Sequence, residues 1–182
     1  MIARRVLIIA TNVVADRPRG VPEVVRRQVL AAKEVRVVAP TLTSWLQSWV
    51  SDIDAATSSA DERVRTIVES IQATGQRASR GSVSDEDPLQ AIADALAMFP
   101  ADALILALHS PETQNRRERR VGERACARFK LPVTEMLIDV DGRVVSVTTR
   151  HAREDDRHTK SADGVRSFMR FLARSQRSLS RG

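Results

Sequence analysis

Four arginines stand within five positions in the run NRRERR, at Arg116, Arg117, Arg119 and Arg120. A guanidinium is a planar fork of donors that fits a phosphate bidentately, so such a cluster is a candidate anion site. A second reading competes with it. The same residues can form the solvated face of a helix, with Glu112, Glu118 and Glu123 partly neutralising them. Just upstream lie His109 and Ser110, directly after an unbroken apolar run. An imidazole there can donate to a phosphate or act as an acid or base. The sequence supplies it with no convincing partner, and a polar strand-end residue packed in its loop is the plainer account. Thr11 and Asn12 follow another apolar run, and suit either contact with a ligand's ribose or base or capping of the first turn.

The segments around these residues decide where they stand. Ala103 to Leu108 is apolar at every position, as expected of a strand covered on both faces of a parallel sheet. Val6 to Ala10 reads the same way, and Val35, Val37 and Val38 form a second strand stopped by Pro40. Asp87 and Pro88 are an N-cap and first-turn pair. Leu89, Ile92, Ala93 and Leu96 then recur at the helical period as far as Pro100. Glu23 to Lys33 is an expected helix with Val24, Val25 and Leu30 inward. Asp61 to Thr74 is another, with Val64, Ile67, Val68 and Ile71 inward and Gly75 just beyond its end. Thr43 or Ser44 can cap a short helix carrying Trp45, Leu46 and Trp49, whose indoles are expected to pack rather than to shelve a ligand. Residues 77–84 suit a polar edge strand. Arg116 to Phe129 is expected as a helix with Val121, Ala125 and Phe129 inward. Val133 to Val140 follows as a strand, and Asp141-Gly142 turns the chain into an antiparallel strand over Arg143 to Thr149.

Strands alternating with helices give an α/β sandwich of the Rossmann-like or flavodoxin-like type. Its sheet has five parallel strands with an added C-terminal antiparallel strand. In such sheets ligands bind beyond the carboxyl ends of the strands, which places Thr11, Asn12 and His109 to Arg120 at the expected site.

Composition narrows the function. The chain has 182 residues, 42% of them hydrophobic and 3% aromatic, so its core must rest on Val, Ile, Leu and Ala. The net charge of +6 is uneven. Residues 150–182 hold nine Lys or Arg against four Asp or Glu, and the other residues hold 20 against 19. The high isoelectric point therefore belongs to the tail and is weak support for nucleic acid binding. Within that tail Val165, Phe168, Met169 and Leu172 share a helical stripe opposite Arg166, Arg170, Arg174 and Arg177. Docking of that stripe on the chain's own domain or on a second subunit is the first reading. An acidic partner, nucleic acid or a membrane surface is the alternative. The single Cys126 cannot form an internal disulfide and reads as a small buried hydrophobe. No signal sequence or membrane span is expected, and the location that follows is cytoplasmic. Asp52, Asp54, Asp61 and Glu62 lack the spacing of a metal loop. Phosphate-loop, dinucleotide and zinc-protease motifs and the serine nucleophile elbow are absent, so no catalytic residue, metal or certain cofactor is assigned.

Several stretches resemble the universal stress protein family. RRVLIIATN is similar to its first strand, EVRVVAPTL to its second, and DPLQAIADALAMFPADALILALH to its helix, Ala-Asp and apolar-strand unit. RRVGERACARFKLPVTEML resembles the helix leading through a Pro to the last strand. The resemblance spans roughly residues 4–140. It implies strand order 3-2-1-4-5, a role in stress responses, homodimers formed through the last strand and, in some members, ATP binding. Two departures bear on that last property. Members that bind ATP carry G-x2-G-x9-G-[S/T] after the fourth strand, whereas HSPETQNRRERRVGER holds only Gly122. Thr11-Asn12 also stands where the family's first strand ends in Asp. With no catalytic motif present, the resemblance implies a non-enzymatic domain over residues 1–149, and the charge pattern sets off a basic extension over 150–182. Such a domain would take a nucleotide or other phosphate ligand weakly, ATP being the candidate, through Thr11, Asn12, His109, Ser110, Arg116, Arg119 and Arg120. The alternative function is an interaction protein that grips an acidic partner or nucleic acid through the tail helix.

Overall fold

A computed structural model describes residues 5–14, 20–40, 53–81, 87–114, 116 and 118–151, with the backbone alone over 53–59. The tryptophan helix, Asp52, Arg117 and the tail helix lie outside the described residues. The strands are β1 (Arg5–Ala10), β2 (Glu34–Val38), β3 (Ala78–Arg80), β4 (Ala103–His109), β5 (Val133–Ile138) and β6 (Val144–Arg150). The helices are α1 (Glu23–Ala31), α2 (Ile53–Gln72), α3 (Pro88–Met98) and α4 (Val121–Phe129). The sheet order is β3-β2-β1-β4-β5-β6, parallel throughout except for the antiparallel β5–β6 pair. This is the expected α/β architecture.

Alternation along the strands divides the core. Val6, Ile8, Ile105, Ala107, Met136 and Ile138 face Val25, Val64, Val68 and Ile71 of α1 and α2. Leu7, Ile9, Leu104, Leu106 and Leu108 face Leu89, Ile92, Ala95, Val121 and Ala125 of α3 and α4. Both faces are covered, so β1 and β4 can be apolar at every position, and each buried Leu or Ile contributes about 1.5–3 kcal/mol. Successive connections reverse direction between β1 and β4, which is the topological switch point.

The helices follow the expected pattern with four corrections. Asp87 caps α3, its carboxylate accepting from the Leu89 N–H at 3.0 Å. On that helix Ala91 and Ala95 are fully buried while Ala93 and Leu96 are half-buried, so the stripe is rotated from the one expected. On α1, Val24 and Leu30 are exposed, whereas Val25 is inward as expected and is joined by Val29. Helix α2 begins at Ile53, eight residues before Asp61, and Gly75 follows it with φ 83°. Helix α4 begins at Val121 rather than Arg116, which moves most of the arginine cluster into the preceding turn. Cys126 is buried against the α3–α4 face, as its type suggested.

Candidate functional site at the switch point

The carboxyl ends of β1 and β4 are zipped together. The backbone N–H groups of Thr11 and Asn12 both donate to the Ala107 carbonyl, at 2.9 and 3.2 Å. Thr11 is buried, and its hydroxyl donates to the same carbonyl at 3.2 Å. The Asn12 amide donates to the Ile138 and Asp139 carbonyls at 3.3 and 3.4 Å, and its oxygen accepts from Val13. Asn12 thereby ties the end of β1 to the end of β5. Ser110 is also buried, with its hydroxyl 3.4 Å from that of Thr113. These three side chains build the floor of the site.

His109 stands above that floor with a partner that sequence reasoning did not find. Its Nδ1 is 2.9 Å from Glu118 Oε1 and 3.5 Å from the Thr11 hydroxyl. The Glu118 carboxylate is only 1% exposed, whereas 30% of the His109 side chain is open. Glu118 is therefore no member of a solvated arginine face. It folds under the loop and supports the imidazole from within. A buried carboxylate costs several kcal/mol unless it is paired (on the order of 3–5 kcal/mol when a partner is removed). Arg63 of α2 supplies a second partner. Burial pushes its guanidinium below the usual arginine value, and the Glu118 charge opposes that shift. The guanidinium also donates to the Pro40 carbonyl at 3.4 Å, bridging toward the end of β2. The site thus draws on β1, β4, α2 and the loop before α4.

The arginines divide into different roles. Arg116 and Arg119 are exposed in the turns that precede α4. Arg120 is the N-cap residue of α4, held at φ 57°. Its guanidinium donates twice to the Glu123 carboxylate, each time at 2.9 Å. That pairing lowers the Glu123 pKa and raises that of Arg120. Arg120 is committed within its own helix turn, and Glu123 suits the positive end of the helix dipole.

The first turn of α4 carries a further internal anion. The Gly122 N–H donates to Glu135 Oε2 at 3.1 Å, and Arg150 lies 3.6 Å from Glu135 Oε1. A Cβ at Gly122 would come 2.1 Å from Glu135 Oε2. The glycine therefore sits in the helix so that a carboxylate from β5 can reach the backbone there. Sequence reasoning missed this arrangement, although two features could have signalled it. One is a charged residue inside the buried strand VTEMLI, and the other is a glycine inside a helical pattern.

Beneath the switch point lies an apolar cavity of about 120 Å³, lined by Val14, Val25, Ile67, Ile71, Ile105 and Met136 among others, with Asn12 and Arg26 beside them. No cluster of three or more metal-ligating side chains occurs among the described residues, and no described helix is long and apolar enough to cross a membrane. No family model and no curated protein matches this sequence.

Proposed function

We propose that this chain is a non-enzymatic, universal-stress-like ligand-binding module. It takes a phosphate-bearing ligand weakly at the switch point, where Arg116 and Arg119 grip the phosphate and His109 contacts the remainder. The observation that supports this reading is that His109 closes the carboxyl end of β4 and the exposed Arg116 and Arg119 follow in the loop from there to α4. That is the edge where ligands bind in open α/β sheets. The missing glycine motif fits the same reading, because the α4 N–H that a phosphate would approach at Gly122 already serves Glu135. Anion binding then falls to guanidinium groups, which need no close approach to backbone. A cytoplasmic setting and a homodimer through the last strands belong to this proposal, and the exposed β6, with Val145 55% open, supports the dimer.

The test is a thermal-shift titration of the full chain with ATP, ADP, AMP and inorganic phosphate. A ligand that binds the native state alone raises Tm with saturation, by the equivalent of about 2.7 kcal/mol at a hundred times Kd. The expected result is a rise that disappears in the Arg116→Ala/Arg119→Ala variant. Unchanged Tm with every ligand at millimolar concentration would reject the reading. The alternative, capture of an acidic partner or nucleic acid by the basic tail, predicts binding that falls steeply with salt and vanishes when residues 150–182 are removed.

A further inference from the structure

We propose that Glu118 and Arg63 fix His109 as the tautomer with hydrogen on Nδ1, so that its open Nε2 accepts a hydrogen bond from a hydroxyl of the bound ligand. The favoured ligand is then a phosphate ester that carries a free hydroxyl, such as a nucleotide or sugar phosphate, over a bare phosphate. This inference rests on the phosphate-binding reading of the site and adds a second point of recognition to it.

The argument begins with the buried carboxylate. An ionised Glu118 can only accept hydrogen bonds, so the 2.9 Å contact puts the hydrogen on His109 Nδ1. Thr11 does not compete for that position, because its hydroxyl hydrogen is directed to the Ala107 carbonyl. A carboxylate 1% exposed is stabilised by a countercharge, and the Arg63 guanidinium of α2 interacts electrostatically with Glu118. The remaining ring nitrogen, Nε2, makes no hydrogen bond with any described residue, and 30% of the His109 side chain is exposed.

Charge and hydrogen-bond direction then sort the ligand. Phosphodianion oxygens accept hydrogen bonds and cannot give one, so they match Arg116 and Arg119 and leave the Nε2 lone pair unmet. A hydroxyl elsewhere on the ligand can donate to it. Glu118 and Arg63 are positioning residues here, and His109 is the one that touches ligand.

Two measurements on the full chain test this. Long-range nitrogen–proton NMR at pH 8 reads the tautomer of His109 directly and needs no ligand. The expected spectrum shows hydrogen on Nδ1, with a shift toward the Nε2 form in Glu118→Gln. Hydrogen on Nε2 in the wild type would overturn the proposal. Affinities for ribose 5-phosphate and methyl phosphate are then compared in the wild type and His109→Gln. The preference for the sugar phosphate should fall by up to roughly tenfold, as expected for one lost hydrogen bond, while methyl phosphate binding holds. An equal loss for both ligands would mean that His109 donates to the phosphate, and an unchanged preference would remove it from recognition; either contradicts the proposal. Failure of both ligands to bind the wild type would sink the phosphate-binding reading together with the ligand role of His109. The NMR result still judges the tautomer by itself.

Discussion

Helices α3 and α4 pack on the same face of the sheet and each leads into a strand, yet their N-termini are held in opposite ways. Helix α3 is capped locally: Asp87 accepts from the N–H two residues later, and Pro88 occupies the first position. Helix α4 has no side-chain cap from its own N-cap residue, Arg120, which sits in the left-handed region at a cost of about 1–2 kcal/mol. Its first turn is served from a distance, by Glu135 on β5 with Arg150 behind it. The loop before it turns on Glu118, which depends on His109 and Arg63. The α3 end is a purely structural solution of the kind found in any helix. The α4 end concentrates charges that are costly to bury, beside the edge proposed to take a ligand, and a departure from local rules of that kind is what a ligand site there would entail.

The comparison can be broken by substitution. Arg63→Met removes a countercharge of the buried Glu118 and should cost up to about 3–5 kcal/mol in urea unfolding, the largest effect of the set. A cost near that of an exposed arginine would mean that Glu118 is not paired as described. Gly122→Ala pushes the Glu135 carboxylate off the Gly122 N–H and should cost about 1 kcal/mol, the lost hydrogen bond being partly offset by the helix preference of alanine. Adding Glu135→Ala should recover part of that loss, because the two positions share one contact and their effects cannot be additive. Asp87→Ala, at the local cap, should cost about 1 kcal/mol and leave phosphate binding untouched. Loss of binding in that variant would erase the distinction between the two helices.

A smaller effect sharpens the same contrast through pH. Arg120 holds the Glu123 pKa below the ordinary 4.5, so their pairing contributes fully above that value. The contribution fades as pH falls through the lowered pKa of Glu123. The difference in urea midpoint between wild type and Arg120→Ala should therefore be constant from pH 7 to about 5 and vanish in stronger acid. A difference that persists in strong acid would assign the effect of Arg120 to its left-handed backbone rather than to its charge.

Sequence and structure agree best at unbroken apolar runs and at strong cap and turn signals, and less well on the exact rotation of the helix stripes of α1 and α3. Unbroken apolar runs at Val6–Ala10 and Ala103–Leu108 specified doubly covered strands, and Asp87-Pro88 specified a helix start. The Asp141-Gly142 turn also holds, with Gly142 at φ 76° and the Asp139 carboxylate accepting from Asp141 and Arg143. Agreement ends where a residue's state is set by something distant. Glu118 sits among arginines, and by composition it reads as part of a solvated face. Its burial follows from His109 and from Arg63 on another helix, which no local pattern reports. The expected start of α4 at Arg116 failed for a related reason. Helical propensity extends the pattern backward, but drawing Glu118 under the loop requires turns at 118–120 in place of a helix. Thr11 and Asn12 were placed at the correct strand end, and only the structure shows that their polar atoms are spent on Ala107, Ile138 and Asp139.

The central claim is that an anion at this edge is held by arginine side chains, with the α4 backbone at Gly122 reserved for Glu135. The most direct measurement follows backbone and arginine side-chain signals by NMR while inorganic phosphate is titrated into the full chain. The account predicts that the Arg116 and Arg119 guanidinium signals move with saturation while the Gly122 amide, bonded to Glu135, stays in place. A Gly122 amide that moves with phosphate while the two arginines stay still would place the anion on the helix N-terminus and contradict the account.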